Sequence, residues 1–191
     1  RMDANMTDTK FSELDDNFNS IEAKIKGSAA TAGELKIVEF PTGSLTPNGL
    51  RAVIERYKAD GIKFDVIITD YADIMAPDHM TSSEIENSKQ VWVGLRAIAQ
   101  EEDAAGLTAT QTNREGFKST VARAEHAAED FNKIRIADLV ISINRTEEER
   151  ARNEARLFFA ASRNQAGEMT ILIRQKMESM KFIDKVLQIN M

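Results

Sequence analysis

The chain has 191 residues, of which 42% are hydrophobic and 29% charged, enough for a domain with a real core. It has no cysteine and only two histidines, His79 and His126, which excludes disulfides and thiolate metal sites and argues against a histidine-rich zinc centre. No apolar run reaches membrane-spanning length, and a net charge of −6 makes the chain a poor nonspecific binder of nucleic acid, so any such contact must be local.

The opening Arg1-Met2-Asp3-Ala4-Asn5-Met6 lacks an initiator methionine and reads as the interior of a longer protein. Residues 8–26 place Phe11, Leu14, Phe18, Ile21 and Ile25 at helical spacing, with Asp8 or Thr9 as cap, and predict an amphipathic helix. Leu35 to Phe40 predicts a strand with Leu35 and Ile37 facing inward, ended by Pro41-Thr42-Gly43-Ser44. That turn lacks the GxxxxGK[ST] spacing of a phosphate-cradling loop. Pro47 starts a helix through Leu50, Val53, Ile54 and Tyr57, and Gly61 terminates it.

Phe64-Asp65-Val66-Ile67-Ile68-Thr69-Asp70-Tyr71 is the central stretch. Its run of β-favouring residues predicts a short strand buried on both faces, as in a parallel sheet. Asp70 stands at the carboxyl end, the edge where open α/β sheets bind ligands. A carboxylate there either holds Mg²⁺ of a nucleotide through water or forms a turn, and the residues alone leave both open.

Residues 76–83 predict a polar loop, and Ser83 caps a long helix over 84–104 with Ile85, Trp92, Leu95, Ile98 and Ala99 on one side. Trp92 in that stripe reads as core. Leu107 to Thr110 predicts the next strand, with Gln111-Thr112-Asn113-Arg114 at its carboxyl end. Residues 115–135 scatter Lys118, Arg123, Lys133 and Arg135 among small and polar residues, and Asp138 to Ile143 is an apolar strand. Glu147 to Arg150 predicts a short helix capped by Thr146. Leu157–Ala161, Met169–Ile173 and Phe182–Ile189 then read as strands, with Ser162-Arg163-Asn164 after the first and a turn at Ala166-Gly167. Alternating strands and helices followed by a run of strands predict one α/β domain: a mainly parallel central sheet flanked by helices, with antiparallel C-terminal strands.

In order and spacing these segments resemble the RecA-like motor domain of DnaB-family replicative helicases, with the closest likeness to those of T-even-type phages. The resemblance is carried by the opening Arg1–Met6, Pro41-Thr42-Gly43, the Asp65–Tyr71 strand as Walker B, Leu95–Ala99, Thr110–Arg114, Ile136-Ala137-Asp138 and Ser162-Arg163-Asn164. It implies a partial RecA-like domain whose Walker A loop and general-base Glu lie upstream, so that residues 1–191 alone do not hydrolyse ATP. It implies ATP and Mg²⁺ as cofactors, with Asp70 holding the Mg²⁺ water shell, Gln111 sensing the γ-phosphate and Arg163 acting as an arginine finger toward a neighbouring subunit. It implies loops 76–83 and 115–135 facing single-stranded DNA, with Lys118 and Arg123 on phosphates and Arg114 serving either DNA or nucleotide. The implied partners are single-stranded DNA, further copies in a hexameric ring, and a primase or helicase loader; the implied location is the cytoplasm, that of the host if a phage encodes the chain.

Each residue also has a plainer reading. Gln111 can cap a turn, Arg163 can be a surface residue of a hairpin, and Lys118 and Arg123 can be solvated charges. Two departures from the family stand out: Ala161 replaces a lysine two residues before the finger, and Asp73 replaces a neutral residue, harmlessly if it faces solvent. Rival functions are a RecA-type recombinase or other RecA-fold ATPase, a degenerate scaffold, and a metal site built on Asp70 and Asp73.

Overall fold

The structure, a computed structural model, describes residues 2–28, 33–111, 131–163 and 169–191. These form two compact units: Arg1–Ile37 with Ile141–Ala160 and Ala166–Met191, and Val38–Val140 with Ala161–Gln165.

The second unit holds the central stretch. Helix α3 (Pro47–Ala59) starts where its signals are strongest: Pro47 stands in the first turn, and the Thr46 hydroxyl accepts from the Gly49 amide at 3.1 Å. Gly61, at φ +81°, turns the chain out of it. Strand β1 (Val66–Thr69) pairs in parallel with β2 (Ala105–Thr108), Thr69 opposite Thr108. Between them runs α4 (Glu84–Glu101), capped by Ser83, whose hydroxyl accepts from the Glu86 amide. The buried cluster is Ala72, Val91 and Trp92, with Met75, Leu95 and Ile136 packed against it, so Trp92 is core as its stripe predicts. Helices α3 and α4 approach so closely at Gly94 that a Cβ there would lie 2.6 Å from the Pro47 ring. The short α5 (Phe131–Ile136) follows, before the chain enters the next strand.

The first unit carries α1 (Met2–Thr7), α2 (Phe18–Ser28), α6 (Glu147–Ala151) and most of a four-stranded sheet ordered β3-β4-β5-β6 (Leu139–Asn144, Glu154–Ser162, Thr170–Lys176, Lys181–Asn190). β4, β5 and β6 are antiparallel, with Ala155 opposite Ile173 at the fully buried centre. The expected parallel pairing and antiparallel C-terminal strands are both present, divided between two hydrogen-bonded sheets.

Three local expectations fail. The helix expected over 8–26 becomes a 3₁₀ turn at Phe11–Glu13 and α2 from Phe18. Asp8 does not cap it: Asp8 stands at φ +56°, and its carboxylate instead takes Lys176 and Ser179, each at 3.0 Å, and Lys181 at 3.2 Å. Residues 35–40 form no strand, because among the described residues no partner lies beside them, and Leu35 and Ile37 are exposed rather than inward. β1 is covered on one face only, leaving Val66, Ile68 and, on β2, Leu107 about half exposed or more (49%, 69% and 51%). A parallel pair this apolar has the composition of strands covered on both faces, and the described residues supply one cover.

Candidate active site

Parallel pairing sets the geometry. Because β1 and β2 run in the same direction in register, the segments leaving them emerge at the same edge of the sheet. Asp70 follows β1 directly, and Gln111 follows β2 by three residues, because the strand expected over Leu107–Thr110 lies two residues earlier; both segments still leave the same edge of the sheet on neighbouring strands. The Gln111 side-chain amide donates to the Tyr71 hydroxyl across 3.4 Å, a long and therefore weak bond. The Asp70–Tyr71 peptide is cis. Asp70 is exposed, and among the described residues no hydrogen bond or ion pair engages its carboxylate.

Two threonines hold the rim together. Thr108 donates from Oγ1 to the Thr69 carbonyl and accepts from the Ala72 amide, both at 2.9 Å, tying the end of β2 to the turn after β1. Two residues on, Thr110 Oγ1 donates to Asp73 Oδ2 at 2.7 Å. The other Asp73 oxygen receives Lys133 Nζ from α5 at 2.6 Å. Asp73 is exposed as a whole residue, but its side chain is only 23% exposed and that of Lys133 11%, so its carboxylate is paired and not a free solvated charge. The ammonium also stands 5.6 Å from the centre of the Trp92 ring, within cation–π range. Burial works to raise the Asp73 pKa, but the Lys133 and Thr110 bonds outweigh it and hold the carboxyl below its usual range. The carboxylate is thus a neutralised element of the rim and not a second free negative charge beside Asp70.

Arg163 joins a different group. Its Nη2 donates to the Arg135 carbonyl at 2.6 Å, its Nε lies 3.3 Å from Asp138 Oδ1, and its backbone amide donates to the Asp138 carbonyl at 3.0 Å. Arg96 donates to the Ile136 carbonyl and to the same Asp138 oxygen at 2.9 Å. Two guanidiniums thus satisfy the last carbonyls of α5, with Asp138 as their shared counter-ion. Arg163 remains half exposed (51%). Arg114, Lys118 and Arg123 lie outside the described residues, as do most of the loop 115–135 and the turn at Ala166-Gly167.

Among the described residues no group of three or more His, Cys, Asp or Glu side chains could hold a metal by itself, which leaves the Asp70–Asp73 metal centre without support. One free carboxylate at a strand end does suit Mg²⁺ arriving with a nucleotide, since that ion keeps its waters and takes one or two carboxylates besides phosphate oxygens. The sequence reading missed the partners of this rim, Thr108, Thr110 and Lys133. Thr108 and Thr110 carried a usable signal, being hydroxyls two apart at a strand end; Lys133 carried none, because its partner is 60 residues away.

Comparison with known proteins agrees with this geometry. No family model matches the chain. Over 158 residues, 78% of its length, the chain is 27% identical to the DnaB-like replicative helicase of Enterobacteria phage T4, of which the match covers 33%. It therefore spans about a third of the length of that curated relative. In fold it is similar to a solved ATPase domain (TM-score 0.79, 14% identity, 96% of this chain and 68% of that one). A second similar structure is that of a DnaB-like replicative helicase studied with primase (TM-score 0.73, 14% identity, 92% of this chain and 46% of that one). No helix among the described residues is long and apolar enough to cross a membrane. Sequence similarity and fold agree: the chain is similar in sequence to a DnaB-like replicative helicase and shares the fold of solved ATPase-domain and helicase structures.

Proposed function

We propose that the chain is the Walker B half of an ATP-driven motor that translocates on single-stranded DNA as a ring and separates strands. The observation that carries this reading is the shared rim of Asp70 and Gln111 at the ends of adjacent parallel strands. Asp70, exposed and without a partner among the described residues, is free to hold the water shell of Mg²⁺–ATP. Mg²⁺ there would neutralise charge developing on the phosphates. Gln111 can both donate and accept, which suits a side chain linking a γ-phosphate to the segment that follows it. Arg163 is half exposed on its cap of α5, and a guanidinium so placed can exchange Asp138 for the phosphates of a neighbouring subunit's nucleotide. Lys118, Arg123 and Arg114 are assigned to DNA from the resemblance. Residues 1–191 contain no GxxxxGK[ST] loop, and the resemblance assigns that loop to a segment outside them. Further copies in a hexamer, and a primase or loader, complete the assembly.

The test is Arg163→Ala and Asp70→Asn in the longer protein. Asp70→Asn should abolish ATP turnover. Arg163→Ala should lose DNA-stimulated turnover by at least about a thousandfold, the range of arginine fingers, with nucleotide binding largely kept. Turnover unchanged in Asp70→Asn would end the motor reading; turnover unchanged in Arg163→Ala would remove that residue from it.

A further inference from the structure

The rim contains a carboxylate that the proposed mechanism leaves unused. Asp73 spends both oxygens inside the protein, on Thr110 Oγ1 at 2.7 Å and Lys133 Nζ at 2.6 Å. Lys133 Nζ in turn lies 3.4 Å from Thr110 Oγ1, so carboxylate, hydroxyl and ammonium form a closed triangle. The carboxylate and ammonium are mostly shielded from water, so neither is a merely solvated charge. Thr110 is bonded through its backbone to Gln111, the residue on which the proposed nucleotide response depends. The segment after β1 and the segment after β2 are thus stitched three times in four residues: at Thr108, at Thr110 and, weakly, at Gln111 itself. Gln111 has only the 3.4 Å contact to Tyr71 among these, so the strong tether nearest to it is its neighbour's bond to Asp73.

We infer that Asp73 is a positioning residue: acting through Thr110 and anchored by Lys133, it fixes Gln111 at the nucleotide-facing rim. This rests on the reading of Gln111 as the nucleotide-responsive residue. Asp73 touches neither nucleotide nor metal in this scheme. Its work is to hold the end of the 105–111 segment against the 70–74 turn, so that the Gln111 amide stays where a phosphate oxygen would lie. Lys133 keeps the carboxylate ionised and oriented, and Trp92 gives the ammonium a flat, apolar seat.

The experiment uses the longer protein that carries this chain and its upstream nucleotide loop, with kcat and KM for ATP measured in saturating single-stranded DNA. Gln111→Ala sets the floor. Asp73→Ala and Thr110→Val should each lower kcat tenfold to about a hundredfold, the scale of a misplaced group, with KM little changed, because the interaction lost is one made in the transition state. Asp73→Asn, which keeps an acceptor for Thr110, should recover part of the rate. The double variant Asp73→Ala/Gln111→Ala should be no slower than Gln111→Ala alone, since Asp73 acts only through Gln111. Thr110→Val removes one hydroxyl and keeps the shape, so it answers even if Asp73→Ala fails to fold. If Gln111→Ala turns over normally, the reading of the rim is wrong and this inference falls with it. If Gln111→Ala is slow while Thr110→Val keeps the wild-type rate, or if the double variant multiplies the two losses, the rim reading stands and the positioning role of Asp73 is refuted.

Discussion

Replacing Gly94 by alanine tests the packing that carries the rim. In an ordinary helix the change would stabilise by up to about 1 kcal/mol, because alanine restricts the unfolded chain and suits the helix. Here the added Cβ would lie 2.6 Å from Pro47 Cβ and 2.7 Å from its Cγ. Carbon atoms at rest stand about 3.5–4.0 Å apart, so the two helices must separate by roughly 1 Å. The Pro47 ring cannot swing aside, because it is fully buried and its φ is locked. Overpacking of this kind costs about 1–3 kcal/mol, which leaves a net destabilisation of about 0–2 kcal/mol once a helical gain of about 1 kcal/mol is subtracted. Gly27, in α2, has nothing within 4 Å of its would-be Cβ and serves as the control. Urea unfolding with midpoints compared at constant m should show Gly94→Ala falling and Gly27→Ala level or rising. Equal stabilisation by both would refute the close approach of α3 and α4.

Two other outcomes are expected in the unit that holds α6 and β5. Thr146→Ala removes a complete capping box, in which the threonine hydroxyl accepts from the Glu149 amide while the Glu149 carboxylate accepts from the Thr146 amide at 2.7 Å, and it should cost about 1 kcal/mol in the same assay. Asp8 gives a pH dependence. Lys176 first, then Ser179 and Lys181, pull its pKa from the ordinary 3.8 down to about 2. A depressed acid stabilises the folded state fully above its unfolded value and loses that contribution as pH falls through its folded one. The stability gap between the wild type and Asp8→Asn should therefore be constant above about pH 5 and close as pH falls from 3.8 toward about 2. A gap that widens on acidification would contradict the assigned contacts.

What could be read from the chain divides by distance. Pro47, Ser83 and Thr146 declare helix starts within four residues of themselves, and each start is where its pattern predicts. The end of β1 is legible because a short apolar run and the carboxylate after it are also local, whereas β2 ends at Thr108, two residues before the expected Thr110. Leu35 to Phe40 has strand composition, yet a strand needs a partner, and nothing in six residues says whether one is beside them. Asp8 looks like a cap until Lys176 and Ser179, 168 and 171 residues away, claim its carboxylate. Asp73 looks like a departure from the pattern the chain resembles for the same reason: it makes sense only once Lys133 is seen against it.

That last pair bears on how the rim works electrostatically. On the proposed reading, a free carboxylate three residues from Asp70 would add negative charge where a triphosphate would approach, and like charges in a shielded site oppose each other strongly. Lys133 removes this conflict without removing the carboxylate, leaving two oxygens as fixed hydrogen-bond acceptors. The chain thereby gains a rigid tether at the cost of one lysine, which must be held in place by α5. Arg96 and Arg163 close the other end of that helix. One short helix is therefore pinned at Lys133 to the rim of Asp70 and Gln111 and at its final carbonyls to the candidate finger. A shift of α5 that loosened Lys133 from Asp73 would also disturb the cap that Arg163 provides. Both contacts fall on one six-residue helix, Phe131–Ile136, Lys133 reaching Asp73 and the Arg135 and Ile136 carbonyls accepting from Arg163 and Arg96.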